Sequence, residues 1–292
     1  MISRKKKIGL ALCGGAARAL SHIGVLKVLR DLGIKPDAVS GTSMGAIVGS
    51  FYCTGTPLEG LEEYVHNMDW RTIMLFSDIT LPKMGIINGR RVEKILEQFL
   101  KDKTFEKCCP QFCCVAVDMI KQEKVVLCSG DLVDAVKASI SIPGLFSPVT
   151  MGKMVLVDGG VVEPLPTEAL GMFDVDLTIA VAISTERQRD LSEYYKQISN
   201  IKEENRFMGS LKKLIGKRPK NNYPNTYEIL NTSFNIIQRE MTRRYIQQAD
   251  IIIEPKVGDY GFFDFQKGSE IINKGLLAAQ EKIPELKKKL RV

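Results

Sequence analysis

Histidine is nearly absent: the 292 residues contain two, His22 and His66. No histidine follows position 66, so a catalytic scheme whose histidine base comes late in the chain is excluded. The same scarcity weakens any zinc site. Four of the seven cysteines form Cys108-Cys109 and Cys113-Cys114. That spacing fits no zinc-ligand pattern, and adjacent residues of a strand point to opposite faces. The plainer reading is small buried hydrophobes in a reducing cytoplasm, with no metal and no cofactor. Long apolar runs are also missing. None approaches the ~20 residues of a membrane span. Arg4-Lys5-Lys6-Lys7 before Ile8-Gly9-Leu10-Ala11-Leu12 imitates a signal peptide, but the apolar run falls short of the 7–15 residues such a peptide needs. Residues 1–7 read as a basic lead into a buried strand. There is no internal repeat and no low-complexity tract.

What is present is ordinary for a globular protein: 45% hydrophobic and 26% charged residues. The length suffices for one large α/β domain or two small ones. The net charge of +7 is concentrated, because Arg187 to Lys220 holds ten lysines and arginines against four acids. Within it, Phe207, Met208, Leu211, Leu214 and Ile215 recur at helical spacing beside Arg206, Lys212, Lys213, Lys217 and Arg218. A basic amphipathic helix over 206–218 fits a peripheral contact with an anionic membrane surface. An ordinary helix packing its apolar stripe on the domain fits it equally simply. Nucleic acid is not an expected partner, and oligomeric state is not legible.

Hydrophobic periodicity gives strand, turn and helix in alternation. Ile8 to Leu12 reads as a buried strand, Arg18 to Leu32 as a helix ended by Gly33, and Pro36 to Ser40 as the lead into a second strand. Gly89 to Lys101 and Leu132 to Ser139 read as helices, with a hairpin of Phe112–Val117 and Val125–Cys128 between them. Val155-Leu156-Val157 and Leu177 to Ile183 read as strands. Tyr227 to Ala249 is a long helix, Asp250 to Pro255 a last strand, and Lys267 to Leu290 terminal helices interrupted at Pro284. The alternation predicts a three-layer α/β/α fold with a mostly parallel central sheet.

Three segments could carry chemistry. Gly41-Thr42-Ser43-Met44-Gly45 lies between a strand and a helix, the nucleophile-elbow arrangement. Glycines at Gly41 and Gly45 let strand and helix approach a sharply turned serine, and the helix N-terminus favours negative charge there. A serine hydroxyl needs a base to take its proton. His22 and His66 are helix residues without an evident partner. Asp158 ends a strand and is followed by Gly159-Gly160, which allow its backbone close to another loop; burial would raise its pKa toward a useful base. An Asp-Gly turn is the rival reading. Cys13-Gly14-Gly15-Ala16-Ala17-Arg18 offers backbone N–H groups after a strand, suited to an anion. Positions 14, 16 and 19 do not make Gly-x-Gly-x-x-Gly, which argues against a dinucleotide.

In this order the three segments resemble the patatin-like phospholipase family, in its bacterial single-domain form. Ser21-His22-Ile23-Gly24-Val25-Leu26 and Ser141-Ile142-Pro143-Gly144-Leu145-Phe146 are similar to stretches of that family as well. The resemblance covers about residues 8–172. Residues 173–292 are expected to complete the same fold, with the basic insertion near 187–224. The resemblance implies a Ser43–Asp158 dyad and an oxyanion hole from the amides of Gly14, Gly15 and Ala16, with Arg18 bracing that loop. It further implies hydrolysis of a lipid or other acyl ester through an acyl-enzyme, without metal. Cys13, Ala16 and Ala19 stand where the family commonly has glycine, and Glu163 where asparagine is frequent. Alanine tolerates positive φ poorly, so the loop at Ala16 is where the sequence departs most consequentially.

Overall fold

The computed structural model describes residues 6–67, 90–183 and 226–290. The segment near 187–224, with its amphipathic stretch 206–218, lies outside the described residues. Among the described residues eight strands form one sheet: β1 (Ile8–Leu12), β2 (Ala38–Thr42), β3 (Gln111–Asp118), β4 (Glu123–Leu127), β5 (Val149–Met151), β6 (Met154–Asp158), β7 (Leu177–Val181) and β8 (Ile251–Ile253). The helices are α1 (Ser21–Asp31), α2 (Met44–Cys53), α3 (Leu58–His66), α4 (Arg90–Leu100), α5 (Leu132–Ser139), α6 (Thr226–Tyr245), α7 (Gly268–Glu281) and α8 (Ile283–Leu290).

β1 and β2 are buried along their whole length, which is why they read as continuous apolar or small-residue runs without alternation. β3, β2, β1, β7 and β8 pair in parallel, and β4, β5 and β6 join antiparallel at the β3 side. The sheet is therefore mostly parallel, as the sequence predicts. Both faces are covered. Leu12, Val39 and Phe112 crowd Gly49 of α2 on one face, while Gly9 faces Leu170 and Val175 on the other. The paired cysteines of β3 divide in the same way: Cys114 joins the main core, and Cys113 a smaller cluster with Val115 and Ala169.

Local departures from the periodic reading have local causes. The helix expected from Arg18 opens instead as a 3₁₀ turn over Ala16–Leu20, and α1 begins at Ser21. Ala17 N–H, which has no intrahelical partner at a helix start, donates to Phe262 O (3.1 Å). β5 has only three residues, too few for a period to register. Pro284 falls in the first turn of α8, where a missing N–H is tolerated.

α1 and α7 cross at two facing glycines. A Cβ on Gly24 would strike Ile272 O and come within 2.6 Å of Leu276 N, and one on Gly275 would strike Ser21 O. Gly60, in α3, has open space around its missing Cβ. Gly275→Ala is therefore expected to lower unfolding free energy by about 1–3 kcal/mol through overpacking. Gly60→Ala is expected to raise it by up to about 1 kcal/mol through helix propensity. Urea midpoints of the two variants check the opposite signs.

Candidate active site

The site is set by one edge of β3. In the parallel β2–β3 ladder Thr42 lies opposite Val115, and in the antiparallel β3–β6 ladder Asp158 lies opposite Ala116. β4 pairs with both Val115 and Ala116. A strand residue has only two lateral neighbours, so β2 and β6 must share the other edge. They meet there end to end, and their carboxyl ends deliver Ser43 and Asp158 side by side.

Ser43 caps α2 with φ 55° and ψ −126°. Such a backbone costs of the order of 1–3 kcal/mol for a non-glycine residue and persists only where surroundings dictate it. Here they do. Ser43 N–H donates to Ser139 Oγ (3.1 Å), and Ser139 Oγ–H donates to Val115 O (2.7 Å), the carbonyl at the gap between β2 and β6. Ala46 N–H donates to Ser43 O (2.9 Å). The flanking glycines are steric necessities. A Cβ on Gly41 would lie 2.6 Å from Ala46 Cα, and one on Gly45 would lie 2.7 Å from Cys13 O.

Asp158 is fully buried. Its N–H donates to Ser141 O (2.9 Å), so residues 139–141 hold the backbones of both side chains. Gly160 N–H donates to Oδ1 (2.7 Å), and Gly159 starts the 3₁₀ turn that makes this possible. Oδ2 has no hydrogen-bond partner among the described residues. Burial pushes the carboxyl up from 3.8 to about 7, against the smaller lowering effects of the nearby Ser43 hydroxyl and the Gly160 amide. Ser43 thus lies close enough to act on the Asp158 carboxyl without a formed hydrogen bond to Oδ2, and catalytic hydrogen bonds are commonly loose before substrate arrives.

The glycine-rich loop after β1 turns through two positive-φ residues. Gly15 has φ 155° and Ala16 φ 49°, so alanine does occupy the left-handed region at the departure from glycine. The N–H groups of Gly15 and Ala16 have no intramolecular partner among the described residues. Gly14 is the correction: its N–H donates to Pro164 O (2.8 Å) and is already engaged. Arg18 is 5% exposed, and its Nε donates to Gly15 O (3.4 Å) while Nη2 donates to Asn235 Oδ1 on α6 (3.2 Å). It braces the loop from inside.

A second segment, 163–166, joins the site's strands. Thr42 Oγ1 donates to Glu163 O (2.8 Å), Gly14 N to Pro164 O, and Ser40 Oγ to Pro166 O (2.6 Å). Glu163 is buried. Its Oε1 accepts the amides of Glu168 and Ala169, and its Oε2 pairs with Lys124 Nζ at 2.8 Å. Gln238 of α6 is also buried, with its amide against Gly14 and Gly160. Ser139, Pro164, Asn235 and Gln238 carry no sequence signal, since each acts through a contact distant in the chain.

Neither histidine is placed as a base. His22 is buried, with Nε2 bonded to Cys13 O (2.7 Å), and burial pushes it down to about 4. It is therefore neutral, with Nε2–H the donor. His66 is exposed, with Nδ1 3.2 Å from Ser269 Oγ. Beside Ser43 and Ala16 opens a small apolar cavity of about 60 Å³, lined also by Met44, Ile47, Ile142 and Phe262.

The patatin-like phospholipase family model matches residues 10–170. The chain belongs to the patatin-like phospholipase family. An uncharacterized NTE family protein of Mycobacterium tuberculosis is 29% identical over 279 residues, 94% of this chain and 46% of that protein. Lysophospholipase NTE1 of Kluyveromyces lactis is 26% identical over 288 residues, 97% of this chain and 19% of that protein. The chain thus spans half or less of the length of these curated relatives. Among solved structures, VipD from Legionella pneumophila aligns over 98% of the chain and 77% of its own, with a TM-score of 0.40 and 13% identity. Family membership supports a lipid hydrolase. No helix among the described residues is long and apolar enough to cross a membrane.

The buried carboxyl carries a stability consequence. Well below pH 4, Asp158 holds its proton in the folded and the unfolded chain alike, and burial costs nothing through ionisation. As pH rises toward about 7 the unfolded chain ionises first, and the folded state loses roughly 4 kcal/mol relative to it. Asp158→Asn keeps the shape and removes the charge. It is expected to raise the melting temperature at pH 8 and to leave it nearly unchanged at pH 4, as calorimetry at the two pH values reads directly.

Proposed function

We propose that the chain hydrolyses ester-linked acyl groups of lipids, phospholipids or lysophospholipids, with Ser43 as nucleophile and Asp158 as its base. The observation that carries this reading is the end-to-end meeting of β2 and β6, which sets a strained, nearly buried serine against an acid whose Oδ2 is unpartnered. The likeness to the Kluyveromyces lysophospholipase and the apolar cavity at Ser43 support a lipid substrate.

In the first half-reaction Asp158 Oδ2 takes the proton of Ser43 Oγ as Oγ attacks the ester carbonyl carbon. The carbonyl oxygen becomes an oxyanion and accepts from the N–H groups of Gly15 and Ala16 at the positive end of a helical segment. Collapse of the tetrahedral intermediate breaks the bond to the alcohol, which leaves with the proton held on Asp158. In the second half-reaction water gives a proton to Asp158 and its oxygen to the acyl carbon. Expulsion of Ser43 Oγ, reprotonated by Asp158, then frees the fatty acid. No metal is needed for either half. The match of an acid near pH 7 to this task is what general base catalysis requires.

Three measurements test the reading together. Ser43→Ala and Asp158→Asn are each expected to lower ester hydrolysis by roughly 10³-fold or more, with Ser43 alone labelled by a fluorophosphonate in the wild type. Replacing both His22 and His66 while retaining activity removes any histidine base. Because only the ionised Asp158 accepts a proton, kcat/KM is expected to rise with pH up to a midpoint near 7 and level off above it. A profile flat from pH 5 to 8, or no labelling and no hydrolysis across lipid classes, overturns the assignment.

A further inference from the structure

One position of α6 is out of character with the face it lies on. Phe234, Gln238, Thr242 and Tyr245 recur at helical spacing and are all buried. That face packs on the site. Thr242 Oγ1 and Cys13 Sγ meet at 3.9 Å, and Asn235, the residue after Phe234, holds Arg18. The two aromatic residues are what a buried face ordinarily carries, and Thr242 has its partner. Gln238 does not: it is 5% exposed, and its amide forms no hydrogen bond among the described residues. A buried amide without a partner is destabilising and calls for a reason.

Its surroundings supply one. A Cβ on Gly160 would lie 2.3 Å from Gln238 Nε2 and 3.0 Å from Asp158 Oδ1. A Cβ on Gly14 would lie 3.6 Å from the same Nε2 and 3.2 Å from Ser43 Cβ. The amide therefore fills the gap that the two glycines leave beside both functional side chains. It stands at most about 5.3 Å from Asp158 Oδ1, the span of a single bridging water. Neither amide atom is among the sealed, unpartnered side-chain atoms, whereas Asp158 Oδ2 is. Water can thus touch the Gln238 amide although it does not touch that oxygen of Asp158.

The second half-reaction needs such a group. A water held at a buried carboxyl requires further polar partners. A side-chain amide offers a donor and an acceptor, interchanged by a half-turn of its terminal bond. On the reading of Ser43 as nucleophile, we propose that Gln238 positions the water that hydrolyses the acyl-enzyme. Gln238 Oε1 accepts one hydrogen of the water, which stays on its oxygen. Asp158 Oδ2 takes the other as a proton while the water oxygen forms the new bond to the acyl carbon. The bond from that carbon to Ser43 Oγ then breaks, and Oγ takes the proton back from Asp158. The first half-reaction consumes no water and does not require Gln238. A third oxyanion donor would serve both halves alike, so kinetics separates the two roles.

The test follows p-nitrophenyl butyrate in the pre-steady state. The initial burst of p-nitrophenol reports acylation, and the steady rate after it reports deacylation. Gln238→Met keeps the length of the side chain and removes both polar atoms. Gln238→Asn keeps the amide and withdraws it by one methylene. In both variants the burst rate and the rate of fluorophosphonate labelling at Ser43 are expected to match wild type. Deacylation is expected to fall about ten-fold or more, and butyryl-Ser43 to accumulate, as the intact mass of quenched protein reads. Rates are taken per labelled enzyme, so loss of folded protein cancels. Deacylation at the wild-type rate in both variants, or burst and steady rates falling together, overturns the role of Gln238 while labelled wild type keeps Ser43 as nucleophile. Loss of labelling in both variants also overturns it, because the amide then serves the fold or the first half-reaction. Wild type that neither labels at Ser43 nor releases p-nitrophenol overturns the nucleophile and Gln238 together.

Discussion

The site depends on a single lateral edge of β3 that is divided between two strands running toward each other. Val115 takes Thr42 as its neighbour and Ala116 takes Asp158. Ladder spacing therefore fixes the separation of the two functional side chains, and loop conformation contributes little to it. Strand backbones are the stiffest positions a fold can offer, and sites built on them hold their geometry better than sites built on loops. Everything else near Ser43 and Asp158 serves that junction. Ser139 occupies the carbonyl of Val115 that the gap would otherwise leave bare, and it takes the Ser43 amide in the same contact. Residues 163–166 then fasten the ends of β1 and β2 to the segment that follows Asp158.

Two features of the junction work against stability, and their compensations are visible. Ser43 holds a positive φ, and Asp158 holds a carboxyl away from water. The strain is offset by hydrogen bonds that the Ser43 backbone makes at both its N–H and its C=O. The carboxyl is only half compensated, through Oδ1, and on the proposed mechanism Oδ2 stays open to act. Buried polar atoms without partners are rare in folded proteins, and each calls for a reason. For Asp158 Oδ2 the proposed chemistry is that reason. His22 Nδ1 is also unpartnered, and its ring supports the oxyanion loop through Cys13 O. No chemistry is assigned to it.

The sequence made legible those features that depend on neighbours in the chain. Gly41, Ser43 and Gly45 announce an elbow because the sharp turn and the two close approaches fall within five residues. The buried strands, the helices and the three-layer architecture follow from runs and periods of similar length. Asp158 was visible as a strand-end acid, but its partner was not derivable from position 158 itself. Only the family resemblance tied it to Ser43. The contacts that were not legible all span long separations, such as Ser139 to Ser43 and Asn235 to Arg18. Gly14 shows the limit from the other side. Its residue type marked it as an oxyanion donor, yet whether its N–H was available depended on Pro164, 150 positions away. The basic stripe at 206–218 was legible as a pattern, but a pattern alone does not separate an interfacial helix from a packed one.

The proposed use of aspartate where acyl hydrolases more often use histidine fits the same geometry. A histidine base needs a third group to fix its tautomer and orient its ring. At a strand end facing another strand end there is little room for either. Aspartate has two equivalent oxygens on a short stem, so one can be held while the other works. Gly160 N–H holds Oδ1 at 2.7 Å, and that one contact sets the direction of Oδ2. What aspartate lacks in the open is basicity at neutral pH, and burial supplies it by raising the pKa to about 7, close to the range of a histidine. On the proposed mechanism a backbone amide takes the place of a triad's orienting group, and desolvation that of the imidazole. Both substitutes are available only where a strand end is buried against another strand, which is what the divided edge of β3 provides.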